Sequence, residues 1–502
     1  MPKPKIIGSA PVLLVKDVVA SANYYRDKVG FNYDRFWEEP PGFCILDRDG
    51  FQLMLKQVED EKLIVPHYKV VKNMWNVYFW VDDADKLYHE LKNLGATIDY
   101  ELCNQPYGCR EFGIQDLDGY DIAFAQETGT TLLCEPSGSR IEPPGDGGAV
   151  LHGIDQAPDL LDDGLPVSTL LEEGIDPKPI GDMLAVIRSG EYTKLDSVLI
   201  ARNGKLILES YFNGYERETK HDMRSSFKSV TSALAGIAID KGLIQDPNQA
   251  ISRYFADYWP NIRIDAVQKQ HISLTHLLTM TSGFDAEESA GIGPYREDDM
   301  FRSNDWVRFT LDLPMAHDPG THFSYNSSST FLIGEIVSRV AQESLPEFAK
   351  KNLFEPLGID SYCWTLTPKR RAVAQGSFFI RPRDMLKIGQ LFLNQGRWNK
   401  QRVISAPWVE ESTKPYMDIL DNNGENQSRQ DGYGYQWWTR CENDSTFDHY
   451  FASGNGGQRI HIFPHLNMVV VFTGSHYNNT IGHRQPNEIL ERYILSAVQA
   501  IS

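Results

Sequence analysis

One segment near the start of the chain occurs twice, and a duplicated supersecondary unit constrains a fold more than any single motif does. Ile45-Leu-Asp-Arg-Asp-Gly-Phe-Gln-Leu-Met-Leu-Lys-Gln57 is matched by Ile114-Gln-Asp-Leu-Asp-Gly-Tyr-Asp-Ile-Ala-Phe-Ala-Gln126. Each copy sets an Asp-x-Asp-Gly turn before an alternating strand, the pattern of a hairpin. Upstream of each copy an Asp and a Gly stand thirteen residues apart, Asp17 with Gly30 and Asp82 with Gly95. Each interval follows an apolar strand (residues 12–15 and 77–81) and encloses apolar residues at helical spacing: Ala22, Tyr25 and Val29, then Leu87, Leu91 and Leu94. Residues 5–127 therefore read as two βαβββ-like units.

A chain of 502 residues exceeds what a single core ordinarily supports, so a second domain is expected. From Thr128 to about Asp163 the sequence turns to Gly, Pro, Ser and Asp without periodicity, which predicts a linker over 128–163 between domains at 1–127 and 164–502. Beyond it, residues 197–201 and 205–211 alternate around Arg202-Asn203-Gly204 as a hairpin, and a helix is expected from Ser226 to Lys241. Further helices follow, and late strands fall near 458–463 and 467–472. Strands at both ends with helices between predict an antiparallel sheet closed by pairing those ends, flanked by helices and joined to a helical region. The fold class is α+β, multidomain.

The formal charge of −19, from 49 Lys+Arg against 68 Asp+Glu, repels phosphate backbones and anionic lipid surfaces, so neither nucleic acid nor a membrane is expected as a partner. No apolar run of about 18 residues is present to span a bilayer. The first apolar stretch is broken by Gly8, Ser9 and Pro11 and closed by Lys16, too early for a secretory segment, so a cytoplasmic location is expected. Six cysteines lie scattered without metal-ligand spacing, which predicts reduced, structural thiols.

The residues that carry chemistry begin with Ser225-x-x-Lys228, the chain's only Ser-x-x-Lys. Three apart on a helix, the two side chains share a face, and at a helix start the serine sits beside unpaired N–H groups that favour an oxyanion. A serine needs a neighbour to take its proton, and a lysine can do so only if its own pKa is lowered. Alone, the pattern is expected by chance about once or twice in a chain of this size. Two later stretches change the weighing: Tyr325-x-Ser327 ahead of an apolar helix, and Ala452-Ser-Gly-Asn-Gly-Gly-Gln-Arg-Ile460 leading into a strand. Gly-x-Ser-x-Gly, a phosphate-binding Gly-rich loop with Lys, and His-Glu-x-x-His are all absent from the sequence. His67, His89, His449, His461 and His465 read as packed or surface histidines. Of the adjacent Trp437 and Trp438, at most one can face a pocket.

The ordered set of Ser-x-x-Lys, Tyr-x-Ser and a Gly-rich third motif resembles the serine β-lactamase and penicillin-binding superfamily. Leu274-Thr-His-Leu-Leu-Thr-Met-Thr-Ser-Gly283, Leu391-Phe-Leu-Asn-Gln-Gly-Arg-Trp398 and Tyr433-Gly-Tyr-Gln-Trp-Trp438 look like its class C-like branch, which includes family VIII carboxylesterases and 6-aminohexanoate-oligomer hydrolases. The resemblance implies Ser225 as nucleophile, Lys228 as its base or proton relay, and Tyr325 as the acid/base group for the leaving atom. It implies an oxyanion hole from the backbone N–H groups of Ser225 and Gln458 and substrate contacts from Ser327, Asn455, Gly456 and Gly457. Two departures stand out. Ser327 replaces the Asn of many relatives, and Asn455 replaces a Lys or His that can hold a substrate carboxylate, a charge that Arg459 could restore.

The duplicated N-terminal unit resembles the vicinal oxygen chelate superfamily of glyoxalase I, bleomycin-resistance proteins and extradiol dioxygenases. In its metal-using members, ligands come from the first and last strand of each unit. Those places correspond here to Ala10 or Pro11, Met54, Asn76 and Ala123, none a good ligand, so no metal and no cofactor are expected. The expected activity is serine hydrolysis of small esters or amides through an acyl-enzyme. The alternatives are a β-lactamase or D-peptidase with the same machinery, and a small-molecule binder acting through the N-terminal domain. A homodimer is expected, because domains of this superfamily often pair.

Overall fold

The computed structural model describes residues 9–71, 74–105, 108–127, 129–136, 150–151, 154, 156–262, 264–288, 297–418, 430–441 and 448–498. The chain divides into two compact units, Met1–Thr130 and Thr131–Ser502.

In the first unit the repeat becomes two four-stranded sheets of identical order. Strand Val12–Val15 runs parallel to Phe51–Gln57, which is followed outward by Phe43–Arg48 and Phe36–Trp37. Val77–Trp80 runs parallel to Asp121–Glu127, followed by Cys109–Gln115 and Thr97–Gln105. The intervening helices, Val18–Val29 and Ala84–Leu94, start where an aspartate accepts first-turn N–H groups and stop at a left-handed glycine, Gly30 or Gly95. The second cap is Asp83, one residue beyond the Asp82 that opens the interval in sequence. Tyr25, Val29, Leu91, Phe112 and Ile122 join one continuous core.

In the second unit nine strands form an antiparallel sheet in the order Val150–Leu151, Lys205–Tyr211, Leu195–Arg202, Met468–Gly474, Gln458–Phe463, His449–Gly454, Trp438–Cys441, Gln430–Tyr433, Met417–Asp418. The hairpin between the second and third of these turns through Asn203 (φ 53°) and Gly204 (φ 77°), the left-handed pair a two-residue turn requires. Leu195–Arg202 pairs with Met468–Gly474, closing the sheet through the segment's two ends. Helix Phe227–Asp240 is buried over almost its whole length, its polar Lys228, Ser229, Thr231 and Ser232 included. Among the described residues no helix is long and apolar enough to cross a membrane.

Two sequence expectations are corrected here. Of the expected linker, 128, 137–149, 152–153 and 155 lie outside the described residues, but Thr131–Glu135 is a strand of a second sheet, paired with Tyr362–Leu366. In that register Cys134 stands directly opposite Cys363, and the two form a disulfide rather than free thiols.

Candidate active site

Ser225 lies in a short 3-10 turn, Arg224–Ser226, that leads directly into helix Phe227–Asp240. Arg224 takes up a left-handed conformation (φ 50°). Asp222 holds it there, accepting the Arg224 N–H at 2.8 Å and pairing with its guanidinium at 2.9 Å. One helical turn on, Lys228 is 1% exposed, and its Nζ donates to Ser225 Oγ (2.9 Å), Ser327 Oγ (3.0 Å) and the Gln375 carbonyl (3.2 Å). The same nitrogen lies 5.0 Å from the centre of the Tyr325 ring.

Burial, the largest influence on Lys228, lowers its pKa, but Tyr325, Glu297 and Glu288 together outweigh it and leave the pKa raised. That direction favours the ammonium form of Lys228, in which it donates to Ser225 and suits a relay better than a resting base.

The second motif is held by the start of helix Ser327–Ala341, capped by Asn326 through the Ser329 N–H at 3.1 Å. Glu287 accepts the Tyr325 N–H at 2.8 Å. Glu288 accepts the Ser327 N–H at 2.9 Å and its hydroxyl at 2.7 Å. Burial, and then the neighbouring Glu297, push the Glu288 carboxyl up to about 8. Sequence reasoning missed both glutamates and the Gln375 carbonyl, for nothing in their spacing links them to the three motifs. The Tyr325 ring stacks on Trp438, with centres 5.8 Å apart and planes at 25°. Trp437, just before the strand Trp438–Cys441, is buried in the core against Phe392.

The third motif is the turn between His449–Gly454 and Gln458–Phe463, with Gly456 and Gly457 at positive φ. Gly454 meets the nucleophile turn itself: a Cβ there would lie 2.4 Å from the Met223 carbonyl oxygen. Asn455 and Gly456 face the loop at Tyr477 and Asn478 instead. The Asn455 amide donates to Asn478 Oδ1 (2.7 Å) and accepts its N–H (2.8 Å), and a Cβ on Gly456 would lie 2.6 Å from the Tyr477 ring. The Gln458 side chain binds the carbonyl and N–H of Gly474. Arg459 is buried and bonds the carbonyls of Gly454 (3.1 Å) and Gln458 (2.8 Å). Thus Ser225, Lys228, Tyr325 and Ser327 converge, while the third motif adjoins them through Gly454.

A separate cavity of about 450 Å³, lined by residues including Asp163, Asp360, Arg381 and Trp398, contains none of these residues and no nucleophile–base pair. In the first unit, the places expected for metal ligands do not fit a metal. Met54 stands in strand register with Val12, Ala123 with Tyr78, and the carboxylate on the same sheet face as Ala123, Glu111, is already engaged by the Tyr78 and Tyr100 hydroxyls.

An antiparallel sheet closed by its two ends, with Ser-x-x-Lys at the start of a buried helix and a tyrosine over the lysine, defines a serine hydrolase. The chain belongs to the beta-lactamase family, whose model matches residues 195–491. Residues 9–124 match the glyoxalase/bleomycin resistance protein/dioxygenase superfamily. The chain is 26% identical over 302 residues to a 6-aminohexanoate-dimer hydrolase of Paenarthrobacter ureafaciens, covering 56% of this chain and 72% of that one. It is 29% identical over 207 residues to a beta-lactamase of Escherichia coli K12, covering 40% of this chain and 50% of that one. The crystal structure of a family VIII carboxylesterase superposes with a TM-score of 0.50 at 16% identity, covering 63% of this chain and 96% of that one, a likeness of fold.

Proposed function

We propose that this serine hydrolase cleaves small, uncharged esters or linear amides through an acyl-enzyme on Ser225. The observation that carries the reading is the contact of Lys228 Nζ with Ser225 Oγ at 2.9 Å, inside a ring of Ser327, Gln375 and Tyr325. Lys228 orients the nucleophile through its bond to Ser225 Oγ. Tyr325 takes the Ser225 proton as Oγ attacks the acyl carbon, then returns it to the leaving oxygen or nitrogen as the tetrahedral intermediate collapses. Water then attacks the acyl carbon with Tyr325 again as base, and Tyr325 passes that proton to Ser225 Oγ as the acyl–Oγ bond breaks. The oxyanion is assigned to the backbone N–H groups of Ser225 and Gln458, at the two sides of the Gly454 contact.

A neutral acyl group is favoured because no cation of the third motif is free for a carboxylate. Asn455 is tied to Asn478, and Arg459 is engaged by backbone carbonyls. The amide reading draws on the 6-aminohexanoate-dimer hydrolase relative and the ester reading on the carboxylesterase fold. The test is kcat/KM for a p-nitrophenyl ester, a linear amide and a chromogenic cephalosporin, with wild type and Ser225→Ala. A preference for the cephalosporin beyond about tenfold would replace this reading with that of a β-lactamase.

The chain is proposed to act as a homodimer without nucleic-acid or membrane partners, and its mass in solution decides the first point. A cytoplasmic location is proposed. The Cys134–Cys363 disulfide favours an oxidising compartment instead, and the count of free thiols in protein from its native host separates the two.

A further inference from the structure

Ser327, where many relatives have Asn, gives the second motif a less directional group. An Asn side chain offers Lys228 a carbonyl oxygen that only accepts, whereas a serine hydroxyl rotates and can either donate or accept. A hydroxyl that donated toward Lys228 would oppose the ammonium. The structure contains a group that prevents this. Glu288 faces Ser327 with both carboxylate oxygens, Oε1 accepting the backbone N–H at 2.9 Å and Oε2 accepting the hydroxyl at 2.7 Å. With its proton committed to Glu288, Ser327 Oγ presents only lone pairs to Lys228 Nζ, 3.0 Å away. Lys228 in turn holds Ser225 Oγ at 2.9 Å.

We infer that Glu288 is a positioning residue of the active site: by accepting the Ser327 hydroxyl hydrogen bond it makes Ser327 an obligate acceptor, which fixes Lys228 against Ser225 and lets serine serve where many relatives have asparagine. The inference rests on the serine-hydrolase reading and extends it to a residue outside the three motifs. The carboxylate acts on Ser327 directly and on the nucleophile only through Lys228. Its charged and titratable neighbours are Lys228 on the nucleophile helix, Glu297 at the start of helix Glu297–Arg302, and Tyr325 and Glu287 beside it in the second-motif contact. Burial and Glu297 hold its carboxyl above the ordinary range while Lys228 opposes them. The carboxylate that orients Ser327 accordingly forms as pH rises through about 8, so activity should climb with pH on this limb.

The test is a double-mutant cycle of Glu288→Gln and Ser327→Asn, with kcat/KM for a p-nitrophenyl ester between about pH 5 and 9 and the rate of Ser225 labelling by a fluorophosphonate. Gln keeps the shape of the side chain but turns an amide donor toward Ser327 Oγ. Glu288→Gln is expected to lower kcat by about tenfold or more with KM nearly unchanged, to slow labelling similarly, and to abolish the rising limb. In the Ser327→Asn background the same substitution is expected to change kcat by less than about twofold, because an amide oxygen no longer needs orienting. Thermal unfolding of each variant monitors the fold. Wild-type rates and an unchanged pH profile in Glu288→Gln would overturn the inference, as would an equal loss in both backgrounds. Full activity in Ser225→Ala would overturn the hydrolase reading, and an unlabelled Ser225 would overturn both.

Discussion

Gly454 and Met223 pack backbone to backbone, so that a Cβ on the glycine would come within 2.4 Å of the Met223 carbonyl oxygen and 3.1 Å of Arg224 Cβ. Neither of those neighbours is a flexible side-chain end. Gly454→Ala must therefore push the third-motif strand away from the turn that carries Ser225. A displacement near 1 Å at a reacting centre costs about a hundredfold in rate, so kcat/KM is expected to fall on that scale while the protein remains folded. Ester kinetics with circular dichroism check both parts, and a rate within about twofold of wild type would sink the packing argument.

Lys228 and Tyr325 act as one unit with Ser225. Lys228→Ala leaves Ser225 and Ser327 without their shared donor, and Tyr325→Phe removes the proton carrier while keeping the stack on Trp438. Each is expected to lower kcat by about two orders of magnitude or more. Combining them should add little, the signature of groups serving a single step. Near-normal turnover in either single variant would remove that residue from the mechanism.

Stability should depend on pH through His461. Its ring is fully buried, with no hydrogen-bond partner at either nitrogen among the described residues. Burial above all, with His449, Arg459 and Arg440 adding to it, holds its pKa well below the ordinary 6.5. The folded state thus binds fewer protons than the unfolded chain; stability is fully present above that value and is lost as pH falls below it. The unfolding temperature is expected to drop between about pH 7.5 and 5.5, and His461→Phe to flatten the drop. An unchanged slope in the variant would assign the acid sensitivity elsewhere.

The Cys134–Cys363 disulfide joins strands 229 residues apart in sequence. Denatured, unreduced protein should show four reactive thiols, Cys44, Cys103, Cys109 and Cys441, and six after reduction. Opening so long a loop in the unfolded state should lower stability by about 2–5 kcal/mol, measurable by urea unfolding of Cys134→Ser against wild type. Six thiols before reduction would show the pair to be open.

What the sequence determined by itself is what repeats or recurs locally. The duplicated βαβββ pattern was legible because turn residues and apolar spacing are set within about a dozen residues, and the capping aspartates and left-handed glycines need no distant partner. The Ser225–Lys228 pair was legible for the same reason, since one helical turn puts both side chains on one face. Only the tertiary structure decided what depends on remote chain segments. Thr131–Glu135 carries no period of its own and becomes a strand through its pairing with Tyr362–Leu366. The pKa of Lys228 depends on Tyr325, Glu297 and Glu288, which reach it from beyond the nucleophile helix, and together these reverse what burial alone would do. Asn455, expected to contact substrate in place of the Lys or His of relatives, has its side chain claimed by Asn478 from the neighbouring loop. A side chain's type is written in the sequence, but its partner is set by register and packing between segments that the sequence keeps far apart.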